Sequence, residues 1–494
     1  MKYFSTRNSN EKVTASAAIS RGLAPDGGLY VPESLPQLSL DDIKTLGKKD
    51  YRGRALGIMK PFLDEFTEDE LKAMISRAYG DNFDTADTAP VHFLDNNTAV
   101  LELWHGPTCA FKDMALQMLP HLLTASLKKC GEQRKVCILV ATSGDTGKAA
   151  LEGFADVENT KILVFYPYNG VSDVQQLQMI TQKGGNVGVA AVRGNFDDAQ
   201  TGVKQIFGDR EFAEELSANG WFLSSANSIN WGRLLPQIVY YFSAYCDYAN
   251  SGRVEYGNTV DFVVPTGNFG NILACWYAKN MGLPVGKLIC ASNQNNVLAD
   301  FFERGVYDRN RTFYTTISPS MDILVSSNLE RLLYSVCGSD AQVAGYMAQL
   351  AKTGEYKVSD AVKSVIDKHF VGGYCSDADT KAAINKVFTE NDYLMDTHTA
   401  VAYNKLADYR KDTGCVSPAV VVSTASPYKF CDSVLEALGQ GSDAPGTELI
   451  EKLSETTKTA IPKPLEGLDK REKRFELVVD KQEMKKTVSD FLKY

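Results

Sequence analysis

One lysine in the chain stands where a free amine could do chemistry. Lys112 is the only lysine or arginine between Arg77 and Lys128, and it directly follows two apolar residues, Ala110 and Phe111. An apolar setting disfavours the ammonium form, which lowers the pKa of a lysine and frees its amine as a nucleophile. An ordinary surface lysine at a helix start would have the same local sequence, so other segments must decide.

A glycine turn later in the chain has the composition of a phosphate site. It consists of Gly267, Asn268, Phe269, Gly270 and Asn271. Glycines let the backbone turn tightly and approach a ligand, and the free N–H groups at the start of the following helix would bind an anion. The same turn is also compatible with a plain connection between a strand and a helix.

A second loop offers hydroxyl groups beside a predicted helix start. It contains Thr142, Ser143, Asp145 and Thr146 together with two glycines. It departs from a nucleotide P-loop, which needs glycine at position 142 and serine or threonine at position 149, so ATP or GTP binding is disfavoured. The backbone N–H groups and the helix dipole would suit a carboxylate or another anion. Helix capping by the loop's own side chains explains these residues equally well.

A third cluster, at 225–233, combines amide side chains with a guanidinium group. Asn227 precedes a predicted helix and Arg233 lies within it. The planar fork of arginine donors suits phosphate, although a capped helix with an exposed arginine is the simpler alternative. Considered together, an activated lysine, a glycine turn for phosphate and a hydroxyl loop for a carboxylate fit pyridoxal 5′-phosphate (PLP), whose aldehyde condenses with a lysine amine.

Alternating strands and helices must position these segments. The fully apolar run at 136–140 is typical of a strand buried on both faces, and further strands are predicted at 161–166, 187–192, 221–224, 260–264, 287–291 and 420–422. Repeated strand–helix–strand units predict an α/β fold with parallel sheets, in which ligands bind beyond the carboxyl ends of the strands. Helical periodicity is predicted near 41–63, over 196–216, and over 231–248, where the apolar residues share one face.

Composition excludes several other classes of protein. The chain has 494 residues, of which 44% are hydrophobic and 23% charged, so disordered and collagen-like classes are excluded. A net charge of -9 argues against a general nucleic-acid binder. Ten singly placed cysteines and five histidines form no common zinc pattern, so no metal is expected. With no signal-peptide core and no apolar run long enough for a bilayer, we expect a soluble cytoplasmic protein.

The motifs, in their order along the chain, resemble the threonine synthase family, in the long branch found in bacteria and fungi. The resemblance covers nearly the whole chain and rests on 27–32, 105–108, 111–113, 141–147, 227–230 with Arg233, 267–271 and 423–425. It implies a type II PLP fold, with two parallel-type sheet domains flanked by helices and an N-terminal region of helices and loops.

The resemblance also implies roles for individual residues. Lys112 matches the lysine that binds PLP covalently, and the 267–271 turn matches the cradle of the cofactor phosphate. Thr424 matches a hydroxyl that faces the pyridine nitrogen, with Ser423 as the alternative. Asp145 stands where many relatives outside this branch carry asparagine, so its role stays open. The implied ligands of the substrate are Thr142, Ser143 and Thr146 for its anionic group, and Asn227 and Arg233 for its phosphate, with Asp145 near the substrate in a role that stays open.

The implied reaction converts O-phospho-L-homoserine and water into L-threonine and phosphate, the last step of threonine biosynthesis. The alternatives are another type II PLP lyase, such as a threonine or serine dehydratase, and a non-catalytic PLP-binding relative. We expect an N-terminal region at 1–95, a small domain at 96–235 and a large domain at 236–494 with a helical insertion at about 294–400. The sequence leaves a monomer and a homodimer open, and it leaves the role of His398 open.

Overall fold

The computed structural model describes residues 1–142, 144–442 and 444–493. Two mainly parallel sheets form its framework. The larger sheet contains six strands in the spatial order Phe370–Tyr374, Val285–Ser292, Val260–Pro265, Ala419–Ser423, Thr98–Glu102 and Val91–Phe93. Every neighbouring pair in it is parallel except the last, which is antiparallel.

The smaller of these two sheets is entirely parallel. Its five strands are Val478–Val479, Val187–Val192, Thr160–Pro167, Lys135–Ala141 and Trp221–Ser224, in that spatial order. The interior strands are apolar and buried along almost their whole length, as the continuous hydrophobic runs predict for strands covered on both faces.

Both sheets collect strands from distant parts of the chain. The strand Thr98–Glu102 pairs with Ala419–Ser423, and Val478–Val479 joins the five-stranded sheet. Two small antiparallel sheets complete the set, one of Asn8–Val13, Tyr3–Ser5 and Tyr30–Pro32, and one of Val306–Asp308 and Glu355–Lys357. The domain boundaries expected from the sequence stay a prediction.

Helices cover both faces of the sheets. The α-helices are Ala15–Arg21, Leu40–Gly47, Tyr51–Met59, Glu68–Ala78, Asp113–Leu116, Leu119–Lys129, Asp145–Phe154, Asp173–Ile180, Phe196–Gly208, Arg210–Ala218, Trp231–Asn250, Gly270–Asn280, Val297–Arg304, Leu329–Cys337, Asp340–Thr353, Asp360–His369, Asp377–Asn391, Thr397–Thr413, Cys431–Ala437, Gly446–Thr457 and Met484–Leu492. Short 3-10 helices lie at Lys60–Phe62, Pro319–Met321, Pro427–Lys429, Lys463–Leu465, Leu468–Lys470 and Lys481–Glu483. Within the described residues, no helix combines the length and the apolar character that crossing a membrane requires.

The helix Trp231–Asn250 lies at the centre of the core. It is buried on all sides rather than on one face only, and it packs against the helices Tyr51–Met59 and Gly270–Asn280. A helix that is apolar around its whole circumference has no face for solvent. Its first turn carries Arg233, so this part of the candidate site rests on an almost fully buried helix.

Candidate functional site

The candidate site is a cavity lined by residues that follow the carboxyl ends of strands from both sheets. Ligands of open α/β folds bind at this edge, as the sequence predicted. The cavity brings together most of the predicted site residues: Lys112, Thr146, Asn227, Arg233, Gly267, Asn268, Phe269, Gly270, Asn271 and Thr424. Thr142 and Asp145 lie behind this lining, and Ser143 lies outside the described residues.

Lys112 enters the cavity from a loop that is fixed to the neighbouring strand. The N–H of Phe111 donates to the carbonyl of Thr424 at 2.8 Å, which holds the two loops together. The Lys112 Nζ lies 3.2 Å from Ser320 Oγ and 3.5 Å from Asp145 Oδ2. Burial lowers the pKa of this amine, and nearby cations lower it further, while Asp145 opposes them. The lowered pKa agrees with the nucleophilic lysine that the apolar context predicts.

Asp145 lies behind the lining and contacts two lysines, and its Oδ2 also accepts from Ser320 Oγ of the lining at 3.3 Å. Its Oδ1 accepts from Lys429 Nζ at 2.7 Å and from Gln175 Nε2 at 2.9 Å. Burial by itself would raise the pKa of Asp145, but the ammonium groups of Lys429 and Lys112 hold it well below its usual range. The carboxylate is therefore ionised, and it forms part of the wall behind the cavity.

The 267–271 turn has the features of an anion cradle. Phe269 adopts a left-handed conformation with φ 64°, and the helix Gly270–Asn280 begins without any side-chain cap. The Asn271 Oδ1 accepts hydrogen bonds from Tyr240 and Tyr241, at 2.6 Å each. Its buried Nδ2 has no partner among the described residues. An uncapped helix start beside an unpartnered buried donor fits the phosphate of PLP.

Arg233 provides a second anion site in the same cavity. Its side chain is buried, and its Nη1 donates to the carbonyl of Ala226 at 2.8 Å. Among the described residues, its Nε has no hydrogen-bond partner, and no carboxylate acts on the charge of the guanidinium. Burial lowers the pKa of Arg233 to about 10. A buried guanidinium left unpaired at a cavity wall is suited to a ligand that brings its own negative charge. Asn227 lines the same cavity and is exposed to solvent.

The structure distinguishes the two hydroxyls after the strand Ala419–Ser423. Ser423 Oγ accepts from Trp104 Nε1 at 3.0 Å and from Thr399 Oγ1 at 2.9 Å, away from the cavity. Thr424 lines the cavity itself. Of the two, Thr424 is therefore the residue available to a ligand ring.

The hydroxyl loop divides into a structural part and a part that reaches the cavity. Thr142 Oγ1 accepts from the backbone N–H groups of Gly144 at 3.0 Å and Gly147 at 2.9 Å. This is the local capping that the sequence allowed as an alternative. Thr146, in the first turn of the helix Asp145–Phe154, lines the cavity. Direct contact of Thr142 with a substrate stays a prediction.

The histidine before the lysine loop lies in an acidic setting. The two ring nitrogens of His105 lie 2.6 Å from Asp84 Oδ1 and 2.8 Å from Glu102 Oε2. Burial by itself would lower its pKa, but the two carboxylates outweigh that effect and raise the pKa to about 9. The imidazole is therefore a cation at neutral pH, and it ties the lysine loop to the strand Thr98–Glu102.

Sequence reasoning missed two residues of this site. Lys429 lies five residues beyond Thr424, and the only available signal was a lysine soon after a polar loop at a strand end. Ser320 carried no signal, because a serine in an irregular segment has no distinctive pattern. His398, whose role the sequence left open, lines the cavity. Its Nδ1 lies 2.7 Å from Asp396 Oδ2, and its Nε2 accepts from the backbone N–H of Ser320 at 3.1 Å.

Three family models match the chain in succession. They are "Threonine synthase N terminus" at residues 2–79, "Pyridoxal-phosphate dependent enzyme" at 94–426 and "Threonine synthase, C-terminal" at 399–488. Threonine synthase of Pseudomonas aeruginosa is 40% identical over 470 residues, which cover 94% of this chain and 96% of the relative. The chain belongs to the threonine synthase family.

Other members of the threonine synthase family extend this result. A crystal structure of PLP-bound threonine synthase from Brucella melitensis superposes with a TM-score of 0.89, at 38% identity and with all of both chains covered. "Threonine synthase-like 1" of Homo sapiens is 43% identical over 443 residues, which cover 87% of this chain and 59% of the human protein. The chain thus spans about three fifths of the length of the mammalian relatives it matches. The expected family, the type II fold and the PLP-dependent class are confirmed.

Proposed function

We propose that this protein is a threonine synthase, which converts O-phospho-L-homoserine and water into L-threonine and phosphate. One observation carries the proposal: a single cavity holds a lysine of lowered pKa, an uncapped helix start and an unpaired buried arginine. The substrate and the cofactor each carry a phosphate, and the cavity offers two separate sites for such groups. Family membership and the threonine synthases covered along nearly their full length support the same reaction.

Different residues of the cavity would bind the cofactor and the substrate. The 267–271 turn binds the cofactor phosphate, and Thr424 offers its hydroxyl to the pyridine nitrogen. PLP, when bound through Lys112, supplies an electron sink for the carbon atoms of the amino acid. Arg233 and Asn227 bind the substrate phosphate, and Thr146 with its loop orients the substrate's carboxylate. Lys112 would thus be bonded to PLP at one stage of the reaction and be a free amine at another.

The free amine of Lys112 moves protons between neighbouring carbons of the substrate. The bond between the γ carbon and the phosphate oxygen breaks, and phosphate leaves with the bonding electrons. Lys112 returns one of these protons to the γ carbon, and water then adds its hydroxyl group to the β carbon and its proton to the α carbon. The remaining proton goes to the released phosphate. A hydroxyl, rather than a carboxylate, opposite the pyridine nitrogen would keep that nitrogen largely unprotonated.

The decisive experiment follows phosphate and threonine together after purified, PLP-loaded protein is mixed with O-phospho-L-homoserine. Equal release of both products would establish the reaction. Phosphate without threonine would show elimination without water addition, as in another lyase. A 2-oxo acid formed from added L-threonine would indicate a dehydratase, and no product from either compound would favour a binding role.

Location and assembly stay predictions. We propose a cytoplasmic enzyme that acts on this small molecule as a monomer or a homodimer, without nucleic acid or membrane. Light scattering on the purified protein at several concentrations would measure the assembly directly.

A further inference from the structure

Lys429 is a buried lysine that contacts the site from behind. Its Nζ donates to Asp145 Oδ1 at 2.7 Å and to the carbonyl oxygen of Thr108 at 3.0 Å. The side chain is inaccessible to solvent. It lies at the end of the short helix Pro427–Lys429, directly after the loop that carries Thr424. The ammonium group is therefore committed to the protein and points at the wall of the cavity, not into it.

Asp145 contacts both Lys429 and Lys112, but only Lys112 must also react with the cofactor. Lys112 Nζ lies 3.5 Å from Asp145 Oδ2, so it could serve as the counter-ion of the carboxylate. The same amine must lose its proton to condense with an aldehyde, and it then no longer offers an ammonium to Asp145. A buried carboxylate without a nearby cation is strongly disfavoured. A second lysine that does not react with the aldehyde removes this conflict.

The position of Asp145 adds a second requirement. It begins the helix Asp145–Phe154, whose first turn includes Thr146 of the cavity wall. A helix start of this kind attracts an anion through its N–H groups, whereas an uncompensated carboxylate beside it would repel one. Neutralisation by Lys429 therefore leaves this loop able to receive the carboxylate of an amino acid.

We propose that Lys429 is a positioning residue that supplies the counter-charge of Asp145 and thereby frees the amine of Lys112 for the cofactor. This inference rests on the proposed function, because it assigns Lys112 to PLP. It predicts that Lys429 matters only while residue 145 carries a charge. Lys429 touches neither cofactor nor substrate in this account, so its effect passes entirely through Asp145.

The test is a cycle of three variants in which PLP binding is measured without substrate. Apoprotein of wild type, Lys429→Met, Asp145→Asn and the double variant is titrated with PLP, and the visible absorbance of the lysine-bound cofactor gives the Kd. We expect Lys429→Met to raise the Kd at least tenfold. In the Asp145→Asn background the same substitution should change the Kd less than threefold. An equal loss in both backgrounds, or no loss in either, would overturn the proposal.

A matched control and a folding check keep the result unambiguous. Lys148 is also buried and pairs with Glu152 at 2.7 Å, so Lys148→Met removes a buried lysine without touching Asp145. It should leave the Kd for PLP unchanged.

If Lys429→Met fails to fold but the double variant folds, the charge argument is supported. If both fail to fold, Lys429 is a core residue and the proposal is wrong. PLP binding without turnover of O-phospho-L-homoserine would count against the proposed function alone.

Discussion

Replacing Arg233 by methionine should weaken catalysis and strengthen the fold at the same time. Its pKa is lowered from the usual arginine value to about 10 because the guanidinium is buried. A drop of this size corresponds to about 3 kcal/mol of unfavourable charge burial. Since the group is protonated at pH 7 in both the folded and the unfolded chain, the folded state carries this cost in full. One hydrogen bond, to Ala226, offsets about 1.5 to 3 kcal/mol of it.

Arg331 is the matched comparison for this substitution. It is equally buried, and burial likewise lowers its pKa to about 10. Its guanidinium, however, donates to the carbonyl of Tyr30 at 3.0 Å, to Asn328 Oδ1 at 2.7 Å and to the carbonyl of Ile229 at 2.6 Å. Each such bond from a charged donor contributes about 1.5 to 3 kcal/mol, so together they exceed the burial cost. Arg331→Met should therefore lower stability by about 2 to 5 kcal/mol.

The assays follow from this contrast. Thermal unfolding of the PLP-free proteins should place Arg233→Met at or above wild type, by up to about 2 kcal/mol, and Arg331→Met clearly below it. The value of kcat/KM for O-phospho-L-homoserine should fall in Arg233→Met by about 2 to 4 kcal/mol, or roughly 30- to 900-fold. If Arg233→Met lost as much stability as Arg331→Met, the claim that Arg233 serves to bind a ligand rather than to stabilise the fold would be refuted. An unchanged kcat/KM would remove it from the site.

Three further predictions concern other parts of the molecule. Lys112→Ala should lose both the visible absorbance of bound PLP and turnover; retained turnover would refute its assignment. The pKa of His105 is raised to about 9, so its ion pairs stabilise the fold by up to about 3 kcal/mol below pH ~6.5 and lose that effect as the pH rises through 9. The free energies of unfolding of wild type and His105→Gln should therefore converge at high pH. A difference that stays constant with pH would contradict this. A Cβ at Gly267 would lie 2.8 Å from the backbone oxygen of Ser320, so Gly267→Ala should weaken PLP binding at least tenfold. Gly345→Ala, where a Cβ meets nothing within 4 Å, should leave PLP binding intact and serves as the control.

The sequence predicts the sheets better than the helix boundaries. Mainly apolar runs of three to six residues identified the buried strands because such runs have one main structural meaning. The helical stretches predicted at 41–63 and 196–216 are each two helices. Asp50 and Asp209 adopt extended conformations and cap the helix that follows, with Asp50 Oδ1 accepting from the N–H of Gly53 at 2.8 Å. An aspartate within an amphipathic pattern does not reveal in advance whether it caps a helix or faces solvent.

Some residues of the site were found from the local sequence, and others only from contacts in the folded chain. Residue type and spacing pointed to Lys112, Arg233 and the 267–271 turn, which the structure places in one cavity, while their roles stay predictions. Lys429 and Ser320 were not found in this way, since their importance arises from distances to Asp145 and Lys112 that only the folded chain creates. Pairings between residues more than 200 positions apart leave no local trace in the sequence.

The pairing of the strand Thr98–Glu102 with Ala419–Ser423 has a consequence for biosynthesis. The lysine that would bind the cofactor is synthesised early, but Thr424 and Lys429 are added more than 300 residues later. Closing so long a loop is slow, and no partial chain that ends before residue 429 contains the complete cavity wall. On the ribosome, the nascent chain therefore has no finished site until residue 429 has been translated, so capture of the cofactor must follow the synthesis of this segment.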